Sequence, residues 1–276
     1  MQTRWLVNGR ESRVDPTDRG LAYGDGLFET MAMRSGRIRW FDEHYERLQA
    51  GCSRLSIPCP SAAEIGADVG VLAHDSEASV IKLIVTRGSG ARGYRPPTPA
   101  SCTRIVIVDA WPNYPAQRYD DGIELAVCKT PIGENVRLAG LKHLCRLEQV
   151  LGQAELEALS AVEGLMLTSN GLVIGGTMSN VFCAVGGVLY TPRLDRAGVS
   201  GVMRRIVIRK ATEANILVRE QDLTLDRFES ADEVFVTNAV FGLWPVAAIG
   251  AMKVRRGTLA LELMREIGIG NRDEQP

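Results

Sequence analysis

Two periods of apolar residues run along the chain and divide it into elements. Alternation marks strand-like runs from Glu29 to Arg34 and from Arg37 to Phe41, with Ser35-Gly36 as the turn of a hairpin. Phe41, Tyr45, Leu48, Cys52 and Leu55 then recur at steps of four and three, the stripe of an amphipathic helix. Val80 to Thr86 and Thr103 to Asp109 read as strands, with Arg87 to Tyr94 in the loop between them. The prolines of Trp111-Pro112-Asn113-Tyr114-Pro115 break the pattern and mark a linker. Beyond it lie a strand from Ile123 to Lys129, an amphipathic helix opening near Lys142, and a run of short strands. Asn170-Gly171 and Gly186-Gly187 predict two hairpin turns. Ser200-Gly201-Val202-Met203 opens a helix through about Glu213, followed by strands near Glu233 to Thr237 and Pro245 to Ile249. Strands and helices alternate without a regular βαβ rhythm, which predicts an α/β (α+β) protein of two domains. Residues 1–110 form the smaller one, 111–116 the linker and 117–276 the larger one.

Composition narrows the function classes. The chain has 276 residues, a hydrophobic fraction of 45% and a net charge of −1, enough to bury a core. That balance leaves no electrostatic footprint for nucleic acid or an anionic membrane. No apolar run approaches the roughly 20 residues of a membrane span. The N-terminal residues Met1 to Leu6 lack the apolar region of a secretory signal. Six cysteines without a CxxC pair suit free thiols and a cytoplasmic location. Three histidines show no metal-ligand spacing, so no metal is expected.

The densest chemistry lies in Gly140-Leu141-Lys142-His143-Leu144-Cys145-Arg146-Leu147-Glu148-Gln149-Val150. A lysine becomes a nucleophile when its amine is neutral and a carbonyl partner is at hand. Lys129, Lys82, Lys210 and Lys253 have no comparable context. The segment resembles the one that carries the cofactor lysine in the lyase branch of the fold type IV pyridoxal-phosphate enzymes. Three other motifs, in order, support that resemblance: Asp18 to Thr30, His44-Tyr45-Glu46-Arg47-Leu48, and Thr237 to Val246.

The resemblance implies a two-domain fold with the cofactor cleft between domains, pyridoxal 5'-phosphate bound through Lys142, and a homodimer. It also implies a small-molecule substrate, an amine with two carboxylates on the route to 4-aminobenzoate and folate. Arg47 is then the phosphate arginine, a task suited to a planar fork of donors. Gly201 and the backbone amides of Val202 and Met203 complete the phosphate cup at a helix N-terminus. Asn238 and Ala239 stand where the aminotransferase branches carry small hydroxyl residues, which favours the lyase branch. Tyr23 and Phe28 are implied on the substrate side, with Arg92 either a carboxylate ligand or an exposed loop arginine, and Trp244 either a further substrate contact or core packing. One position departs from the family: the glutamate that bonds the pyridine nitrogen falls on Gly175. Cys145 is a smaller departure, from asparagine. The alternatives are a D-amino acid or branched-chain aminotransferase of the same fold, and, on the strength of Gly175, a weakly active cofactor-binding scaffold.

Overall fold

The computed structural model describes residues 3–74, 76–159 and 161–269. The chain divides into two compact units, one of Met1–Pro112 with Leu141–Cys145, the other of Asn113–Gly140 with Arg146–Pro276. The short segment around Lys142 therefore groups with the N-terminal residues, away from its neighbours in sequence.

The first unit contains β1 (Arg4–Val7), α1 (Arg19–Tyr23), β2 (Gly26–Arg34), β3 (Arg37–Ile38), α2 (Phe41–Leu55), α3 (Ala62–Ala73), β4 (Ala78–Thr86) and β5 (Thr103–Ala110). Its sheet is antiparallel, in the order β1-β5-β4-β2-β3. The strand expected from Arg37 to Phe41 stops at Ile38, because α2 already begins at Phe41. The buried face of α2 is His44, Leu48, Gly51 and Cys52, a step around the helix from the expected stripe. Phe41 and Tyr45 are half-buried and stack on each other with centroids 5.9 Å apart. A polar histidine displaces them from the core side because it has a buried partner there. The helix also approaches β2 closely: a Cβ at Gly51 would lie 2.8 Å from Leu27 Cδ1. The pattern of apolar residues did not reveal α3, yet its start was legible. Ser61 and Glu64 form a capping box, each side chain bonding the other's backbone N–H.

The second unit continues with α4 (Gln117–Asp120), β6 (Ile123–Val127), α5 (Leu147–Ala158), β7 (Glu163–Leu167), β8 (Val173–Gly176), β9 (Asn180–Val185) and β10 (Val188–Pro192). It ends with α6 (Val202–Glu213), β11 (Val218–Gln221), α7 (Leu225–Glu229), β12 (Glu233–Asn238), β13 (Gly242–Ile249), β14 (Met252–Lys253) and α8 (Leu259–Ile267). Its mixed sheet runs β11-β10-β9-β12-β13-β6-β7-β8, with β14 on β13. Both hairpins expected from Asn170-Gly171 and Gly186-Gly187 form. β7 and β8 flank Asn170-Gly171, and β9 and β10 flank Gly186 and Gly187, which hold φ of +57° and +78° as a tight hairpin turn requires. Phe182 and Phe235 stack across β9 and β12 with centroids 5.0 Å apart. Trp244, Phe228, Val234 and Val236 are wholly buried in the same sheet's core.

Candidate active site

Lys142 lies outside any helix or strand, in the segment before α5. Phe28 N donates to Lys142 O at 2.9 Å and Leu144 N to Gly26 O at 3.0 Å, so an isolated antiparallel bridge between Leu27 and His143 ties the segment to β2. The edge is open because β3 pairs only with Met33 and Arg34, at the other end of β2. The helix expected to open at Lys142 opens at Leu147 instead, because the preceding residues satisfy their backbone on β2. The Lys142 amine lies 4.3 Å from the centroid of the Phe28 ring. That face carries the negative lobe of the ring quadrupole and attracts a cationic amine.

Arg47 and His44 share a face of α2 because they lie three residues apart. Both reach Glu29, which is buried on β2 between Leu27 and Met31. Arg47 donates through Nε to Oε1 at 2.9 Å and through Nη2 to Oε2 at 2.5 Å, and His44 Nδ1 is 2.6 Å from Oε2. Burial alone would raise the Glu29 carboxyl, but the Arg47 charge and the His44 and Arg47 hydrogen bonds outweigh it and hold it at about 2. Burial pushes the His44 imidazole below its ordinary 6.5, against the pull of Glu29. Nδ1 faces a carboxylate oxygen, which can only accept, so it donates there, and Nε2 is buried without a hydrogen-bond partner. Glu29 was missed in the sequence. Its signal was a carboxylate on the buried face of an alternating strand, where an ionised group needs a cation.

In the second unit, Gly201 is the N-cap of α6, and the amides of Val202 and Met203 are in its first turn. First-turn amides have no carbonyl within their own helix to bond. A Cβ at Gly201 would lie 2.1 Å from Asn180 Oδ1, so any larger residue would have to displace the Asn180 side chain. Asn180 Nδ2 donates to Val199 O at 2.9 Å, and Ser200 N to Gly140 O at 3.0 Å. The α6 entry and the chain two residues before Lys142 are thus tied together.

Gly175 and Gly176 point to opposite faces of β8. A Cβ at Gly176 would lie 2.9 Å from Glu163 Oε2, whereas one at Gly175 would meet Ser179 O at 2.9 Å and Asn180 Nδ2 at 4.0 Å. Glu163 accepts from Thr177 N at 2.9 Å, the Thr177 hydroxyl and Ser179 Oγ at 2.8 Å, so it braces the turn after β8 on the Gly176 side. Glu220 pairs with Arg204 at 2.7 Å. Neither carboxylate stands in for the side chain missing at Gly175.

The remaining candidates divide. Tyr23 is exposed and Phe28 half-buried, while Arg92 is exposed in the loop after β4. Asn238 Oδ1 accepts from Val240 N and Phe241 N, both at 2.9 Å, so that side chain holds the β12–β13 turn in which Ala239 lies half-buried. Trp244 corrects an expectation. It is 0% exposed and stacks on Phe241 at 3.8 Å, with Tyr114 and Tyr119 edge-on, so it is a core residue with no surface to offer a substrate. Its size and the hydrophobic strand around it favour that burial.

These groups suit a phosphorylated aldehyde. In the first unit the Lys142 amine offers a nucleophile for a carbonyl and Arg47 a cation braced by Glu29; in the second, the first-turn amides behind Gly201 suit a phosphate. Gly175 is the one position where the donor set falls short.

The fold and these motifs define a class. Residues 26–249 match the family model for amino-transferase class IV, and the chain belongs to that family. A crystal structure of 4-amino-4-deoxychorismate lyase from Pseudomonas aeruginosa is 42% identical, with a TM-score of 0.91 over 96% of this chain and 98% of that one. Aminodeoxychorismate lyase from Vibrio harveyi is 32% identical over 90% of this chain and 91% of its own length. A putative branched-chain-amino-acid aminotransferase from Methanocaldococcus jannaschii is 31% identical over 88% and 85%. The resemblance drawn from the motifs is borne out at the level of family and fold.

Proposed function

We propose that the chain is a pyridoxal-phosphate-dependent lyase that converts 4-amino-4-deoxychorismate to 4-aminobenzoate and pyruvate in folate synthesis. The observation that carries this reading is the 42% identity to the Pseudomonas aeruginosa lyase over nearly the whole of both chains. The bound cofactor supplies a carbonyl for the substrate amine and an electron sink for the charge left on its carbon. Lys142 is the residue that carries it and, once its amine is free and neutral, the base that takes the proton from the amine-bearing carbon. Phe28, 4.3 Å from that amine, limits where it can swing. Arg47 and the amides of Val202 and Met203 hold the phosphate. Formation of an aromatic product drives the reaction, which makes the missing acid at Gly175 tolerable for a lyase.

An aminotransferase is the second reading, favoured by the relative from Methanocaldococcus jannaschii. An absorbance scan with 4-amino-4-deoxychorismate separates them: a lyase releases 4-aminobenzoate, whereas an aminotransferase given an amino acid leaves the pyridoxamine form. The working state is a cytoplasmic homodimer, a reading supported by the exposed apolar stripe Leu147, Val150 and Leu151 on α5. Sedimentation of the active protein showing only monomer would refute the dimer. Among the described residues, no helix is long and apolar enough to cross a membrane.

A further inference from the structure

Arg19 is only 3% exposed although α1, which carries it, is a five-residue helix. Its guanidinium is spent almost entirely on one loop. Nη1 donates to Gly93 O at 3.0 Å and Nη2 to Tyr94 O at 2.9 Å, with Arg95 O at 3.5 Å from Nη1. Nε donates to Asp25 Oδ2 at 2.8 Å. The same carboxylate takes Arg87 through Nε at 2.8 Å and Nη2 at 3.0 Å, and Arg87 also donates to Ser56 O and Leu55 O at the end of α2. One half-buried acid with two buried arginines therefore ties the start and the middle of the loop to the body of the unit.

The loop is also joined to the Lys142 segment. Gly93 N donates to the Tyr23 hydroxyl at 3.2 Å, and the Tyr23 and Tyr94 rings lie 5.3 Å apart. On its backbone side, Tyr23 O receives the Cys145 thiol at 3.7 Å, three residues after Lys142. Arg92, the loop's exposed cation, immediately precedes Gly93.

We propose that Arg19 is a positioning residue that sets substrate preference: by holding the carbonyls of Gly93 to Arg95 it fixes Arg92 where it can pair with a carboxylate of a dicarboxylate substrate. The dicarboxylate rests on the function proposed above; the clamp itself does not. Only arginine offers enough donors in a fixed fork to hold three successive carbonyls and an acid at once. A released loop would have to be ordered at each binding event, and that cost appears in substrate affinity rather than in the chemical step.

The test uses the cofactor-loaded protein and its Arg19→Met and Arg19→Lys variants, with exposed Arg10→Met as control. Trypsin should cut after Arg92, giving a fragment that begins at Gly93, about tenfold faster in Arg19→Met than in wild type. Arg19→Lys should fall between them. KM for 4-amino-4-deoxychorismate should rise roughly tenfold in Arg19→Met, with cofactor content unchanged and kcat within about twofold. Equal cleavage rates, or a loss of kcat in step with cofactor and no change in KM, would overturn the proposal. If wild type releases no 4-aminobenzoate, the functional reading fails separately. Calorimetry with chorismate, a dicarboxylate lacking the amine, then decides: weaker binding by Arg19→Met supports the clamp and equal binding refutes it. Should Arg19→Met not fold, Tyr23→Phe, which removes only the bond from Gly93 N, must shift cleavage and KM in the same direction.

Discussion

Arg47 grips Glu29 with two guanidinium nitrogens, Nε at 2.9 Å from Oε1 and Nη2 at 2.5 Å from Oε2. The arginine expected to face a phosphate is thus already oriented by a carboxylate beneath it. Arg47→Ala should weaken pyridoxal phosphate binding by roughly tenfold or more, the worth of a charged hydrogen bond. Arg37→Ala, on the exposed strand β3, should leave it unchanged. Equilibrium titration of cofactor into the two apo-proteins checks this.

Glu29→Gln strands a largely buried guanidinium without its counter-charge. Removing one partner of a buried pair costs about 3–5 kcal/mol, so the variant should melt well below wild type. Cofactor affinity should fall with it, because Arg47 loses its anchor. A thermal melt together with the same titration reads both effects.

The same cluster sets an acid limit. Glu29 is depressed from 4.5 to about 2, so its contribution is present above 4.5 and is lost as pH falls toward 2. It amounts to something on the order of 3 kcal/mol. His44 is depressed below 6.5, so its contribution is present above 6.5 and its loss begins below that pH. Denaturant midpoints against pH should therefore fall in two stages, and His44→Gln should remove the earlier one while the later one stays.

Trp244→Ala should cost about 3–5 kcal/mol of stability, as expected for a wholly buried tryptophan. Trp244→Phe should be far milder and should leave KM for the substrate unchanged. A raised KM without loss of stability would return Trp244 to the substrate site.

Gly175→Glu should place an acid on the face of β8 opposite Glu163. Its Cβ would lie 2.9 Å from Ser179 O, a crowding that costs about 1–3 kcal/mol. With alanine as substrate, the variant should accumulate more of the pyridoxamine form than wild type does. An unchanged spectrum in a folded variant would show that the face is not directed at the ring nitrogen.

Much of the fold was legible because local rules decide it. The Asn170-Gly171 and Gly186-Gly187 turns impose their hairpins whatever surrounds them. The α2 stripe was nearly right, and its offset came from one tertiary fact: His44 is drawn inward by Glu29. The bridge of the Lys142 segment to β2 was not legible, because it depends on β3 being too short to cover the edge of β2. Arg47, Lys142 and Gly201 could be found as motif residues. Glu29, Asn180 and Arg19 act through partners distant in sequence, and nothing next to them in the chain announces it. For Trp244 the sequence left core and substrate contact open, and its burial decides for the core.

The central claim is that Lys142 alone carries the cofactor. Borohydride reduction of the loaded protein, followed by peptide mapping, tests it directly. The account predicts one pyridoxyl group, on Lys142, and none in a Lys142→Ala variant. A label on Lys82, Lys129, Lys210 or Lys253, or an undiminished label in Lys142→Ala, would contradict it.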